Sequence, residues 1–454
     1  MQYDEFLKSK RQIVGNSGIE VSPSEIHPML FPFQKDVTRW ALRKGRAAIF
    51  LDTGLGKTIC QLQFCSHISK SKALIVAPLS VARQTVREAQ KIDTVVKYCR
   101  TQEGATEKIN ITNYELVRHF NPDEFDTIVC DESSILAALD SATRKTLTEM
   151  FRDTPYKLCC TATPIPNDDA EIGQHSEFLG IKSRVDMLST YFVHDDDGWR
   201  LKGHAGPDFY RWLASWGMSL KKPSDLGYDD SGFILPPLTV TPIFLPTNIP
   251  TPGRLFADSL KGIQDRARVR KATIKDKLQT VVDLVNSNDE QWIVWCGLNP
   301  EADSVNKLIP DSRNIYGTMK PDDKALGLEQ FQDGAYRVLV SKVRVAGFGM
   351  NMQNCHNVVF MGLSDSFQFF YQAIRRCYRF GQKHPVNVYV VLTDLEEGIY
   401  QNIMRKEAQA MVMSEKLIER VRQYERNELH ATASGFDYSP NAPMEIPGWL
   451  RAAV

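Results

Sequence analysis

The sequence predicts an α/β protein of two consecutive parallel sheets, each flanked by helices. Three observations carry this. Apolar runs of strand length alternate with helical patterns from Met29 to about Leu179, and again from about Thr239 to Thr393. The first series opens on a strand that runs into a glycine-rich turn closed by Lys57 and Thr58. At 454 residues the chain has length for two or three domains rather than one.

The composition is that of a soluble globular protein, 43% hydrophobic and 24% charged. Its 55 basic and 55 acidic residues cancel, so net charge argues neither for nor against nucleic acid, and any basic surface must be local. The nine cysteines show no Cys-x-x-Cys spacing. Cys130, Cys159, Cys160 and Cys296 stand in apolar runs and read as buried thiols in a reducing compartment. The polar start, Met1 to Glu5, is unlike a secretion signal, and no apolar run is long enough to span a bilayer. An intracellular soluble protein is expected.

In chain order, residues 1–28 read as a loosely held extension. Residues 29–189 form the first α/β unit, with strands expected at Ala47–Leu51, Ala73–Ala77, Ile109–Ile111, Thr127–Cys130 and Lys157–Thr161. Residues 190–238 break the alternation and read as an insertion or linker. They comprise a polar turn at His194–Trp199, a helix from Phe209 to Leu220 and the closing Leu235-Pro236-Pro237-Leu238. Residues 239–395 form the second unit, with strands at Trp292–Cys296, Tyr336–Ser341, Asn357–Gly362 and Val386–Leu392. Residues 396–454 are a charge-rich helix and a tail. Glu415, Glu419 and Arg422 fit a solvated face, and the tail with Pro440, Pro443 and Pro447 suits an extended segment that could dock a protein partner.

Four stretches carry chemistry. In Phe50-Leu51-Asp52-Thr53-Gly54-Leu55-Gly56-Lys57-Thr58, Gly54 and Gly56 can adopt angles that aim successive N–H groups at phosphate oxygens. The following helix N-terminus adds partial positive charge. Lys57 would reach the β- and γ-phosphates, and the Thr58 hydroxyl would sit on Mg²⁺. Leu51 stands where the full loop pattern has its first glycine, so a strand–turn–helix with a chance lysine is the plainer alternative. At Thr127-Ile128-Val129-Cys130-Asp131-Glu132 a strand delivers two adjacent carboxylates to its C-terminal end. Asp131 suits Mg²⁺ and Glu132 an attacking water, where a solvated Asp-Glu turn is the alternative. Thr161 and Thr163, in Cys160-Thr161-Ala162-Thr163-Pro164, can hydrogen-bond that end and couple nucleotide state to a neighbouring site. In Tyr371-Gln372-Ala373-Ile374-Arg375-Arg376-Cys377-Tyr378-Arg379-Phe380-Gly381-Gln382, Arg376 and Arg379 stand three apart, on one face if the segment is helical. Two guanidinium groups there suit charge developing on a γ-phosphate.

With these four in order, the chain resembles the superfamily 2 helicase-like ATPases, most closely their Swi/Snf-like branch, over about residues 29–395. Further stretches match. Leu30-Phe31-Pro32-Phe33-Gln34 resembles the adenine-reading glutamine motif. Ile75 to Ser80 and Ile111 to Glu115 resemble strand-tracking motifs. Ile293 to Cys296 resembles the start of the second core domain, and Ser341 to Met352 the branch's glycine-rich turn with Asn351. The resemblance implies two tandem RecA-like domains with ATP and Mg²⁺ in the cleft between them. Gln34, Gly54, Gly56, Lys57, Thr58, Gly349 and Gln372 would bind ATP, Thr58 and Asp131 the metal. Lys57, Glu132, Arg376 and Arg379 would be catalytic. Pro78, Ser80, Thr112, Asn113, Ser341, Lys342 and Asn351 would hold a DNA backbone without reading bases; Trp295 could stack on a base or simply pack. Ser133-Ser134 after the Asp-Glu pair departs from the branch. The short 190–238 region fits a minimal cytoplasmic motor of a bacterium or virus. The implied activity is helicase or translocase motion on DNA driven by ATP. RNA as the track, or ATP used only as a switch, remain alternatives.

Overall fold

The computed structural model describes residues 14–138, 141–164, 169–195, 198–246, 273–347, 351–364 and 366–430. Two all-parallel sheets dominate it. The first contains β1 (Arg46–Leu51), β2 (Ala73–Ala77), β3 (Val96–Tyr98), β4 (Ile109–Asn113), β5 (Thr127–Asp131) and β6 (Tyr156–Cys160). A separate antiparallel hairpin follows, β7 (Phe192–Asp195) and β8 (Gly198–Leu201), and then β9 (Gly217–Leu220) completes the first sheet in the order β3-β4-β2-β5-β6-β1-β9. The second contains β10 (Leu238–Leu245), β11 (Trp292–Trp295), β12 (Ser312–Ile315), β13 (Val338–Ser341), β14 (Asn357–Phe360) and β15 (Val386–Thr393), in the order β10-β15-β14-β11-β13-β12.

Helices cover both faces, which is why the strands are continuous apolar runs rather than alternating ones. Along β1, Ala47, Ile49 and Leu51 enter one core while Ala48 and Phe50 enter the other. Along β11, Ile293 and Trp295 face one core, Trp292 and Val294 the opposite one. Trp295 is thereby fully buried as packing, not available to stack on a base. Register sets the site. Ile49 of β1 pairs with Cys160 of β6, and Cys160 pairs with Asp131 of β5. The C-terminal ends of these strands are therefore level, and the segments that follow them share one sheet edge.

The helices used below are α1 (Pro32–Lys44), α2 (Lys57–Ile68), α3 (Leu79–Gln90), α4 (Ile172–Leu179), α5 (Gly206–Ala214), α6 (Phe367–Ile374) and α7 (Glu397–His430). Pro32 starts α1 where a missing N–H costs nothing, and α2 rises directly from Gly56 in a left-handed conformation, φ 85°.

Three expectations change. The described part of the extension is packed, not loosely held. Gly18 and Ile19 donate to Arg43 O and Leu42 O at 3.0 and 2.9 Å, and Val21 and Ile26 are buried. A Cβ on Gly18 would lie 1.8 Å from Leu42 O, so only glycine permits that approach. The stretch expected as an insertion adds an edge to the first sheet. The helix ends at Ala214 rather than Leu220, because Gly217–Leu220 satisfies its backbone against β1 as β9, with Phe209, Trp212 and Trp216 buried beneath. Finally, α7 is more than a solvated face. Ile399, Ile403 and Ile418 are buried, and the helix reaches back from the second sheet to pack on α5 and β9. Arg422 donates to Ser224 O and Asp225 O at 2.8 and 3.0 Å, and Glu415 pairs with Lys221 at 3.7 Å. The proline-bearing tail lies outside the described residues. All nine cysteines are free and buried, and no described helix is long and apolar enough to cross a membrane.

Candidate active site

A cleft of about 320 Å³ opens between the two sheets' edges. Its walls include Gln34, Gly54, Gly56, Lys57 and Thr58 from the first unit, the Asp131–Glu132 pair, and Arg376 and Arg379 from the second. These are residues the sequence singled out, and the fold brings them together across more than three hundred positions of chain, as the Tyr371–Asp52 contact with its separation of 319 shows.

The loop from β1 to α2 is a cradle by construction. Gly54 and Gly56 both have positive φ, 92° and 85°. A Cβ on Gly54 would meet Phe380 at 2.7 Å, and one on Gly56 would meet Gln34 Nε2 at 2.3 Å. Lys57 Nζ folds onto the loop, donating to Leu51 O at 2.7 Å and Asp52 O at 3.3 Å. Burial lowers its pKa, against the pull of Glu132, Asp52 and Asp131.

Asp131 is held from two sides. Its Oδ2 accepts from Gln61 Nε2 at 3.0 Å and its Oδ1 from the Glu132 N–H at 2.9 Å. Burial first, and then the neighbouring Glu132 carboxylate, push it up to about 6. Glu132 itself has φ 51°, a left-handed backbone that is strained for a residue with a side chain and turns its carboxylate off the strand direction. The next residue anchors the turn: Ser133 N–H donates to Cys160 O at 2.9 Å, and its hydroxyl meets His175 Nε2 of α4 at 3.1 Å. His175 is fully buried edge-on to Phe50, and that burial lowers its pKa to about 4, so the ring is neutral at pH 7.

Arg376 and Arg379 reach the cleft by a route unlike the expected one. The helix α6 stops at Ile374, with Arg375 as its C-cap, and both arginines sit on the tight turn that follows. Arg376 Nε donates to Gln372 O at 3.1 Å, so Gln372 serves through its main chain and is not among the cleft-lining residues. Burial, then repulsion from Arg376, lowers Arg379 to about 9, still protonated at neutral pH.

The remaining expected residues divide. Gln34 lines the cleft, yet its amide already accepts from Phe31 N–H and donates to Leu55 O, both at 3.0 Å, tying α1 to the loop. Thr161 is buried, its hydroxyl accepting from the Thr163 N–H at 3.2 Å. Gly349 lies outside the described residues, as does the Ser80 side chain. Of the expected nucleic-acid contacts, Pro78 caps α3 and Lys342 is partly exposed. Asn113 accepts from Leu116 N–H at 3.1 Å, Thr112 is fully buried, and Ser341 spends its hydroxyl on Ile315 O at 2.6 Å. Asn351 lines the cleft that holds Lys57 instead.

Several lining residues had no motif to announce them. Phe233, from the stretch after β9, packs edge-on to Phe31 at 5.0 Å and against Phe380 at 4.8 Å, making an aromatic wall contributed by both units. Glu88 and Lys91 come from α3 and its C-terminus. Of the three rings in that wall, Phe31 and Phe380 stood within quoted motifs and Phe233 did not.

The fit to a nucleoside triphosphate rests on this chemistry: a glycine cradle that any Cβ would fill, a lysine at its end, and an aromatic wall beyond. Thr163 Oγ1, Gln84 Oε1 and Gln353 Oε1 are buried with no hydrogen-bond partner among the described residues. Also among those residues, no group of three or more His, Cys, Asp or Glu could hold a metal. Asp131 and Thr58, both in the cleft wall, could share a divalent cation with substrate phosphates, as suits Mg²⁺.

Comparison with known proteins agrees with the layout. A family profile described as SNF2-related domain matches residues 33–189, and one described as helicase conserved C-terminal domain matches residues 276–381. A frog (Xenopus laevis) SWI/SNF-related matrix-associated actin-dependent regulator of chromatin subfamily A-like protein 1 is 22% identical over 80% of this chain and 42% of its own. Mouse (Mus musculus) DNA annealing helicase and endonuclease ZRANB3 is 20% identical over 86% of this chain and 41% of its own. The chain thus spans less than half the length of these relatives. Among solved structures, the Sulfolobus solfataricus SWI2/SNF2 ATPase core in complex with dsDNA aligns with a TM-score of 0.43 at 18% identity, covering 90% of this chain and 99% of that one. The first unit thus matches an SNF2-related domain and the second a helicase conserved C-terminal domain.

Proposed function

We propose that the chain is a DNA-dependent ATPase motor, coupling ATP hydrolysis to movement on DNA or remodelling of it. The observation that carries this is the single cleft in which Lys57, Asp131 and Glu132 of one unit face Arg376 and Arg379 of the other. ATP would lie with its phosphates on the Gly54–Thr58 loop and its base toward Phe31, Phe233 and Gln34. Mg²⁺, held by Thr58 and Asp131, would neutralise phosphate charge. Glu132 orients and deprotonates the attacking water, and the two arginines balance the charge that develops on the transferring phosphoryl group. That arrangement is complete only with the units closed, so turnover alternates closed and open forms and can step the protein along a strand.

The DNA track would run past the same sheet edges, beside the cleft. Pro78, Asn113 and Lys342 stand at the C-terminal ends of β2, β4 and β13 and suit backbone contacts; Thr112 and Ser341 would have to be uncovered first. The relatives named for action on DNA favour it over RNA as the track. The test is ATP turnover with no nucleic acid, single-stranded, duplex and forked DNA, and RNA. Stimulation by DNA above RNA is expected, with binding that weakens steeply as salt rises. A basal rate that DNA leaves unchanged at low salt would favour ATP as a conformational switch.

A further inference from the structure

Asp52, in the phosphate loop, is engaged from the opposite unit. Its Oδ1 accepts from its neighbour's Thr53 N–H at 2.6 Å and also from the Tyr371 hydroxyl at 3.1 Å. Its Oδ2 faces Arg375 Nη2 at 3.4 Å, with both side chains only 18% exposed. The Arg375 guanidinium also lies over the rings of Tyr371 and Tyr378, at 4.9 and 5.4 Å, so its plane is fixed before it meets the carboxylate. Arg375 immediately precedes Arg376. At the other end of the same turn, Phe380 closes on Gly54, where even one added carbon would sit 2.7 Å away. The segment Arg375–Phe380 is thus docked on the phosphate loop at two points, Asp52 and Gly54, and Arg376 and Arg379 lie between them.

We infer that Asp52, Tyr371 and Arg375 form a closure latch that sets Arg376 and Arg379 in place over the phosphates. Arg375 and Tyr371 are positioning residues: neither is among the cleft-lining residues, and both act through the turn that carries the arginines. The latch rests on the nucleotide reading of the cleft and adds to it a means by which the loop reports its own geometry to the second unit. A loop displaced by wrong or absent phosphates carries Asp52 away from Arg375, and the arginine turn loses one of its two footholds. Misplacing a catalytic group by about 1 Å costs on the order of 10²-fold in rate, so a partial loss of registration suits an effect of about tenfold.

The test uses the full chain carrying a donor and an acceptor fluorophore, one on each unit, and a non-hydrolysable ATP analogue. Asp52→Asn, Arg375→Gln and Tyr371→Phe are compared with the parent for closed fraction, kcat and KM, with folding checked by thermal melting. Asp52→Asn and Arg375→Gln should each lower the closed fraction and reduce kcat about tenfold, with KM for ATP altered far less. Their combination should be no worse than either alone, because both remove one contact. Tyr371→Phe, which deletes a single hydroxyl and keeps the packing, should show a smaller loss of the same kind. Multiplying effects in the double variant, or parent-like closure in Asp52→Asn and Arg375→Gln, would overturn the latch. Closure is read without hydrolysis, so a parent that closes on the analogue but shows no DNA-stimulated turnover would count against the motor reading and leave the latch standing.

Discussion

Replacing Arg376 or Arg379 by alanine tests whether the two units share one catalytic centre. Both side chains line the cleft that holds Lys57 and Glu132, and Arg379 stays charged at neutral pH despite its lowered pKa of about 9. A unit charge about 4 Å from developing phosphoryl charge, at the effective dielectric of about 20 suited to such sites, interacts by roughly 4 kcal/mol. That converts to about 10³-fold in rate, the scale known for transition-state arginines in phosphoryl transfer. Each single variant should therefore lose DNA-stimulated turnover by about that factor while melting near the parent temperature. Combining either with Glu132→Gln should add little, since members of one catalytic unit are not additive. Steady-state ATP hydrolysis of the single and double variants decides it. Two folded arginine variants that turn over at the parent rate would refute the shared cleft.

Within the first unit, Lys57→Ala should abolish turnover and weaken nucleotide binding, whereas Glu132→Gln should bind ATP nearly as the parent does and turn over roughly 10²-fold slower or worse; binding and single-turnover assays separate the two. Phe233→Ala removes the ring shared with Phe31 and Phe380 and should raise KM for ATP about three- to tenfold, read by saturation kinetics. His175, with a pKa of about 4 in the fold against 6.5 when free, is uncharged when buried, so the unfolded chain takes up its proton first as pH falls. Its contribution to stability is complete above pH 6.5 and is lost as pH drops toward 4; the slope of melting temperature across that window should flatten in His175→Gln. Lys277 and Glu396 form a fully buried pair at 3.2 Å between helix Ile274–Val285 and the short turn Asp394–Glu396 after β15. Lys277→Met would strand the carboxylate and should cost about 3–5 kcal/mol, measured by denaturant titration.

The parallel sheets and the gathering of Lys57, Asp131 and Glu132 in one cleft were legible because both are written locally. A strand buried on two faces must be an apolar run, and a phosphate loop must place glycines and a lysine at fixed offsets. The level ends of β1, β6 and β5 then bring Lys57 and Asp131 together with no further information needed. What escaped notice depends on partners far away in the chain. Gly217–Leu220 reads as the end of a helix until β1 offers an unpaired edge, and that edge pairs the main-chain groups the strand turns toward it. Arg376 and Arg379 have helical spacing but stand on a turn, because α6 is capped at Arg375. Phe233 sits in no motif at all, and nothing nearby in sequence points to Phe31 and Phe380. Thr112 and Ser341 were assigned to a nucleic-acid face by position, yet their burial depends on packing that the motif does not encode.

Closure of the two units draws on contacts of different worth. Arg87 and Glu329 pair at 2.6 Å and Arg83 pairs with Asp322, but each pair has one side chain more than half exposed. Such pairs contribute about 0–1 kcal/mol each and weaken with salt. The Phe31–Phe233–Phe380 cluster is apolar and indifferent to salt, and the Asp52–Arg375 contact is mostly shielded from solvent. The contacts nearest the phosphates are thus the ones that ionic strength perturbs least. If the chain works as proposed, DNA held by its backbone would be released as salt rises, whereas closure around the nucleotide would persist. Under the proposed function, a motor built this way would keep its chemical step insulated from the electrostatics of its track, and salt would act on how long it stays on DNA before it acts on how fast it turns over.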